Sequence, residues 1–226
     1  MWEGVSGVDR NGMKRAAARA ALDYVDTDVI GIGAGSTAEA FIEALATSDR
    51  RPRAAIAASD RSRGLLEALG ITVVDLTAEV LPLRLYVDGA DEADGELRLI
   101  KGGGGALTRE KVLASAARRF VCIVDESKLV RSLGAFPLPV EVVPAARHFV
   151  ERELVALGGA PRLREGRETD NGNVIVDVTG LDFTDPLALE AAIGAIAGVV
   201  ESGIFARRRA DVLLVGTAAG VRRIER

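Results

Sequence analysis

The sequence predicts an α/β fold in two parts. Short apolar, strand-like runs alternate with helical patterns along most of the chain, as in a parallel sheet covered by helices. The first such run breaks into a glycine-rich loop that opens a helix. Beyond residue 125 a second strand–helix–strand pattern fills about 70 residues and is followed by one more apolar run. Together these indicate a Rossmann-like doubly wound main domain, residues 1–133 and 206–226, with an inserted small split-βαβ (ferredoxin-like) domain, residues 134–205.

The elements follow in order. Residues 14–24 read as an alanine-rich helix, 28–32 as a strand, and 38–46 as the helix after the glycine loop. A strand at 54–57, a helix at about 61–69 and strands at 71–76 and 83–87 come next, with an alternating hairpin-like run at 96–100. A helix is predicted over 108–119, with its acid early and Arg118 and Arg119 late, as the helix dipole prefers. The buried run 120–124 is a further strand. Glycine and two prolines in 133–139 mark a domain crossing. Then come a strand (140–143), a helix (147–157), a strand (162–165), the turn Asn171-Gly172-Asn173 and a strand (174–178). Thr184-Asp185-Pro186 starts a helix, 199–205 is one strand, and 212–215 returns to the first sheet.

Composition excludes several function classes. At 226 residues, with 48% hydrophobic and 27% charged residues, the chain can bury a core without staples. A net charge of −4 argues against a nucleic-acid partner. The basic run Arg207-Arg208-Arg209 reads as the solvated end of a strand. No apolar run is long enough for a bilayer span and no signal pattern precedes the first helix, so a cytoplasmic location without membrane contact is expected. The one cysteine, Cys122, lies in a buried run and reads as core, and the one histidine, His148, allows no two-imidazole site. Chemistry must therefore use carboxylates, lysines and backbone amides.

Three segments can supply it. In Gly31-Ile32-Gly33-Ala34-Gly35-Ser36-Thr37 the glycines let the backbone turn and approach a ligand, and the next helix offers free amides to an anion. Ser36 stands where the dinucleotide fingerprint needs its third glycine, and no Gly-Lys pair follows, so neither nucleotide-loop pattern applies. A plain tight turn is the bland alternative. The run Asp88-Gly89-Ala90-Asp91-Glu92-Ala93-Asp94 puts Asp88 at a strand's C-terminal end, where open α/β sheets bind ligands. Its register fails as a calcium loop, and crowded carboxylates suit proton transfer; the alternative is an acidic turn in solvent. In Lys101-Gly102-Gly103-Gly104-Gly105, four glycines expose amides beside a mobile cation, and Glu110 follows in the first helical turn, where it could equally be a dipole partner. An anion loop, two aspartates, a lysine and a glutamate suit proton shuttling beside the carbonyl of a phosphorylated substrate.

These motifs resemble the A-type ribose-5-phosphate isomerases. The matching stretches are GIGAGSTA (31–38), LYVDGADEAD (85–94), KGGGGALTREKVLA (101–114), FVCIVDESKLV (120–130), PLPVEVVP (137–144), TDNGNVIVDV (169–178) and VESGIF (200–205). The resemblance implies conversion of ribose 5-phosphate to ribulose 5-phosphate with no cofactor and no metal. It implies Glu110 as the base, Asp88 and Asp91 assisting ring opening, and Lys101 with Gly102, Gly103 and Gly104 meeting the enediolate charge. Lys14, Ser36, Thr37 and Lys128 would hold the phosphate, with Ala34, Gly35, Gly89 and Ala90 also at the substrate. A homo-oligomer, dimer or tetramer, is the family expectation. Two positions depart from the family pattern: Ala34 replaces a threonine and Ser202 an asparagine.

Two rivals come from other classes. A sugar-phosphate-sensing domain of DeoR-like regulators shares the fold type but needs a DNA-reading helix pair, for which the residues before Asp28 are too few. A nicotinamide-dependent oxidoreductase is disfavoured by the absent third glycine.

Overall fold

The computed structural model describes residues 9–225; residues 1–8 and 226, which the expected main domain includes, lie outside the described residues. The first half contains α1 (Arg10–Ala21), β1 (Val29–Ile32), α2 (Ser36–Ala46), β2 (Ala54–Ala57), α3 (Asp60–Ala68), β3 (Thr72–Val73) and β4 (Leu83–Asp88). The two short strands β5 (Glu92–Ala93) and β6 (Leu99–Ile100) lead to α4 (Leu107–Ala116) and β7 (Ala117–Asp125). Next come β8 (Leu138–Val142), α5 (Arg147–Ala156), β9 (Ala160–Glu168), β10 (Val174–Thr179), α6 (Pro186–Gly194) and β11 (Val199–Ser202). The chain ends with β12 (Ile204–Phe205), β13 (Val212–Thr217) and β14 (Gly220–Glu225).

The large sheet has the order β14-β13-β7-β4-β1-β2-β3. All its neighbours are parallel except the β13–β14 hairpin. The chain leaves β1 toward β2 and β3, then returns to β4 on the other side of β1. That reversal opens a crevice at the C-terminal ends of β1 and β4, where doubly wound sheets bind ligands. Alternate residues of the central strands serve two cores. Ile30, Ile32, Leu85, Val87, Val121 and Ile123 pack with Phe41, Ile42 and Leu45 of α2 on one face. Tyr86, Phe120, Cys122, Leu213 and Val215 pack with Leu113 and Ala114 of α4 on the other. Continuous apolar strand runs result because both faces are covered.

A second sheet has the order β11-β8-β10-β9 and is antiparallel throughout. With α5 after β8 and α6 after β10, this is the split-βαβ arrangement, with its own core around Val140, Val150, Leu154, Val176 and Ile193. A three-stranded ladder, β12-β6-β5, adjoins the two sheets in sequence.

The structure corrects several sequence expectations. Helix α1 starts at Arg10, where Asp9 Oδ1 caps the Gly12 amide at 2.8 Å. Helix α4 stops at Ala116, and Arg118 and Arg119 belong to β7, so they do not serve the α4 dipole. The run 199–205 is two strands in different sheets, because Gly203 breaks it. A Cβ there would stand 2.2 Å from the Lys101 carbonyl oxygen. Only Thr72–Val73 of 71–76 is strand, and β5 and β14 were not anticipated. Arg208 is not simply solvated: it pairs with Asp211 at 2.8 Å and donates to the carbonyls of Ala114 and Ala117.

Candidate active site

The three motifs meet at the crevice. Strand β4 delivers Asp88 fully buried at its last position. Its Oδ1 accepts from the amides of Gly89 (2.7 Å) and Ala34 (3.1 Å). Its Oδ2 accepts from the Tyr86 hydroxyl and forms an ion pair with Lys101 Nζ at 2.8 Å. The carboxylate fits only because residue 33 is glycine: a Cβ there would lie 1.7 Å from Asp88 Cγ. The Ala34 contact is made by its backbone, so the loop amide reaches Asp88 whatever side chain stands at that position.

Lys101 is held rather than mobile. It is 2% exposed, and Nζ also donates to the Gly89 carbonyl at 2.6 Å. Burial presses its ammonium toward the neutral form, but the carboxylates of Asp88 and Glu110 more than offset this, and its pKa stands above the ordinary lysine value. The Lys101 amide donates to the Gly203 carbonyl at 2.9 Å, and the Gly203 amide to that of Pro139 at 2.8 Å. The break in 199–205 thereby anchors the glycine loop.

Glu110 lies in the first turn of α4 and is 4% exposed. Its Oε2 is 3.3 Å from Lys101 Nζ at an angle outside hydrogen-bond range, so this buried oxygen has no donor. Burial pushes the carboxyl up to about 8; the charge of Asp88 adds to the rise and Lys101 opposes it. A group that is basic when ionised and acidic when protonated near neutrality is suited to carry a proton both ways.

The acidic run is neither a crowded carboxylate cluster nor a solvated turn. Asp91 Oδ2 accepts from the Gly103 amide at 2.7 Å, and Oδ1 takes no hydrogen bond among the described residues. Glu92 accepts from the amide of Gly134 at 2.7 Å and from that of Phe136, while Asp94 pairs with Arg98 at 2.7 Å. The last two acids are structural.

Gly35, with φ at 86°, turns the first loop into α2, whose leading residues are Ser36 and Thr37. Lys14 Nζ donates to Ser36 Oγ at 3.0 Å, and Thr37 packs against Gly89, the position next to Ala90. Lys128 is in the turn Glu126–Lys128 directly after β7 and makes no hydrogen bond or ion pair among the described residues. Ala34 and Gly35 face Gly104 and Gly105 across a cleft of about 260 Å³ that Thr169 and Asp170 close from the second sheet. Among the described residues no three His, Cys, Asp or Glu side chains gather as a metal site.

Some participants escaped the sequence reading. Tyr86 shares the strand face of Asp88, two residues on, and that period was a usable signal. Glu141, a charge in the apolar run of β8, is fully buried: it accepts from Thr169 Oγ1 (2.8 Å), Asn171 Nδ2 (3.0 Å), Asn173 Nδ2 (2.8 Å) and the Thr108 hydroxyl. The TDNGN turn thus wraps a carboxylate that also ties down the start of α4. Ser202, at the other departure from the family pattern, is buried with a hydroxyl that finds no partner.

Comparison with known proteins agrees with this geometry. The model of the family Ribose 5-phosphate isomerase A (phosphoriboisomerase A) matches residues 54–220. The chain is 56% identical over 215 residues to the ribose-5-phosphate isomerase A of Acidithiobacillus ferrooxidans, covering 95% of this chain and 98% of that one. It superposes on the crystal structure of ribose 5 phosphate isomerase A from Neisseria gonorrhoeae with a TM-score of 0.94 at 50% identity, covering 96% and 98% of the two chains. The corresponding enzyme from Methanocaldococcus jannaschii gives 0.90 at 40% identity, covering 96% and 100%. The chain belongs to the ribose 5-phosphate isomerase A family.

Proposed function

We propose that this chain interconverts D-ribose 5-phosphate and D-ribulose 5-phosphate, as in the non-oxidative branch of the pentose phosphate pathway, with Glu110 as the base. One observation carries the reading: a buried glutamate whose Oε2 has no hydrogen-bond donor sits 3.3 Å from an ammonium that Asp88 fixes in place. In the forward direction the Glu110 carboxylate takes the proton from C2 of the open-chain aldose, and the electron pair moves to the carbonyl oxygen on C1. Lys101 and the amides of Gly102 and Gly104 meet that negative charge, the Gly103 amide being given to Asp91. Glu110 returns the proton to C1 while the hydroxyl proton passes from O2 to O1. Asp88 accepts three hydrogen bonds and pairs with Lys101, which suits an anchor for that lysine. Asp91, with Oδ1 uncommitted, is the better placed of the two to assist ring opening.

The amides and hydroxyls at the start of α2, with Lys14 and Lys128, are the proposed phosphate site, and Gly35, Gly89 and Ala90 border the sugar. The same reading takes residues 134–205 as an inserted domain and the enzyme as a cytoplasmic homo-oligomer that needs no metal or cofactor. No helix among the described residues is long and apolar enough to cross a membrane. Incubation with ribose 5-phosphate followed by a ketopentose assay tests the function. A chain that forms no ribulose 5-phosphate refutes it, and activity lost on exhaustive chelation and restored by magnesium refutes the metal-free mechanism.

A further inference from the structure

The second sheet reaches the catalytic loop through one side chain. Arg164 on β9 donates Nη1 to the carbonyl oxygens of Gly102 (3.0 Å) and Gly103 (3.2 Å). Asp177 on β10 fixes the guanidinium, accepting from Nε at 2.8 Å, and only 17% of the Arg164 side chain is exposed. In a trans peptide the N–H points opposite to the C=O. Two successive carbonyls held toward Arg164 therefore turn the amides of Gly103 and Gly104 to the other side of the loop. The Gly103 amide does face away, donating to Asp91 at 2.7 Å.

Successive amides turned one way form a concavity for negative charge. A run of glycines has no intrinsic preference for this arrangement, and Gly102 adopts it at φ 101°. The Gly105 amide closes the turn from within by donating to the Gly102 carbonyl at 2.9 Å, and the paired carbonyl contacts of Arg164 add a hold from outside the loop. Because that partner is a cation, it also polarises the two peptide groups and strengthens their amides as donors.

We propose that Arg164 is a positioning residue for the isomerisation, holding the glycine loop from behind so that its Gly103 amide fixes Asp91 and its Gly104 amide is turned to receive the charge of the enediolate. The inference rests on the function proposed above. Charge on that oxygen grows in the transition state, so the loss should appear in kcat and not in KM.

The test compares wild type with Arg164→Ala on ribose 5-phosphate, with and without millimolar guanidinium chloride, far below denaturing levels. Removing one preorganised donor from such a site costs about 10²–10³ in kcat, and Arg164 acts at one remove, so a fall of about 10–100-fold is expected with KM within about threefold. Guanidinium should restore much of the lost rate in the variant, add nothing to wild type, and act where sodium chloride does not. A kcat within about threefold of wild type overturns the proposal, as does absent rescue or equal rescue by sodium chloride. Should Arg164→Ala fail to fold, Asp177→Asn, which frees the guanidinium without removing it, takes its place. A lower kcat at unchanged KM then supports the proposal, and an unchanged kcat overturns it. Wild type that does not turn over ribose 5-phosphate overturns the proposed function as well; active wild type beside an unaffected variant overturns only the role of Arg164.

Discussion

Replacing Glu110 with Gln should raise stability and abolish turnover for the same physical reason. The carboxyl is 4% exposed, its Oε2 has no donor, and its pKa rises from 4.5 to about 8 through burial and the charge of Asp88. Between those values the folded chain keeps a proton that the unfolded chain has released. Stability associated with this group therefore falls as pH rises through that window. At about 1.4 kcal/mol per pKa unit, ionised Glu110 costs the fold on the order of 4–5 kcal/mol above pH 8, an upper figure because Lys101 loses a partner in the variant. Urea unfolding should find Glu110→Gln close to wild type at about pH 5 and more stable by on the order of a few kcal/mol at about pH 9. Turnover should fall by roughly 10²–10⁴ or more, with little change in substrate affinity. Wild-type kcat/KM should climb with pH and level off above about 8, where the free enzyme's base is ionised. In deuterium oxide wild type should place solvent deuterium in the product, and the variant should lose this with turnover. Near-normal turnover in Glu110→Gln beside an inactive Asp91→Asn would make the aspartate the base. An equal stability difference at both pH values would refute the buried-charge argument.

Other positions give sharper steric and binding tests. Gly33→Ala sets a Cβ 1.7 Å from Asp88 Cγ, so Asp88 must leave its hydrogen-bond partners and Lys101; kcat should drop at least about 100-fold, and near-wild-type activity would show that Asp88 can be moved freely. Replacing Ser36 and Thr37 together with Ala removes hydroxyl donors worth roughly 1.5–3 kcal/mol each toward a phosphate, so KM should rise about tenfold or more, with some loss of kcat. An unchanged KM would move the phosphate elsewhere. Ala34→Thr should alter kcat/KM by less than about tenfold, because the contact to Asp88 comes from the backbone; a gain of several hundredfold would reveal a missing catalytic hydroxyl.

The doubly wound sheet was legible because each central strand is apolar on both faces and each ends in punctuation that only a turn explains. Asp88 was legible for the same reason, as the first charge after 83–87. Strand ends were less so. Residues 117–119 carry Ala-Arg-Arg, which local preference extends as helix, and only pairing with β4 makes them strand. Partners across the fold could not be read at all. Glu141 meets Thr169, Asn171 and Asn173 some 30 residues on, and Arg164 meets a loop about 60 residues back. The first set ties the β9–β10 turn to β8 and the second ties β9 to the glycine loop, and sequence spacing carries no trace of either.

The two central acids show why environment, and not residue type, divides the work. Asp88 accepts three hydrogen bonds, two from backbone amides and one from Tyr86, and forms an ion pair with Lys101. These partners fix the carboxylate in position and orient it toward Lys101. Glu110 has the opposite surroundings: it is buried, one oxygen finds no donor, and Asp88 stands as a like charge nearby. Lys101 serves both acids, anchored by the first and aligned by it toward the second. Removing Asp88 would therefore release the lysine as well as a charge, which is why its hold on Lys101 matters to the proposed proton path.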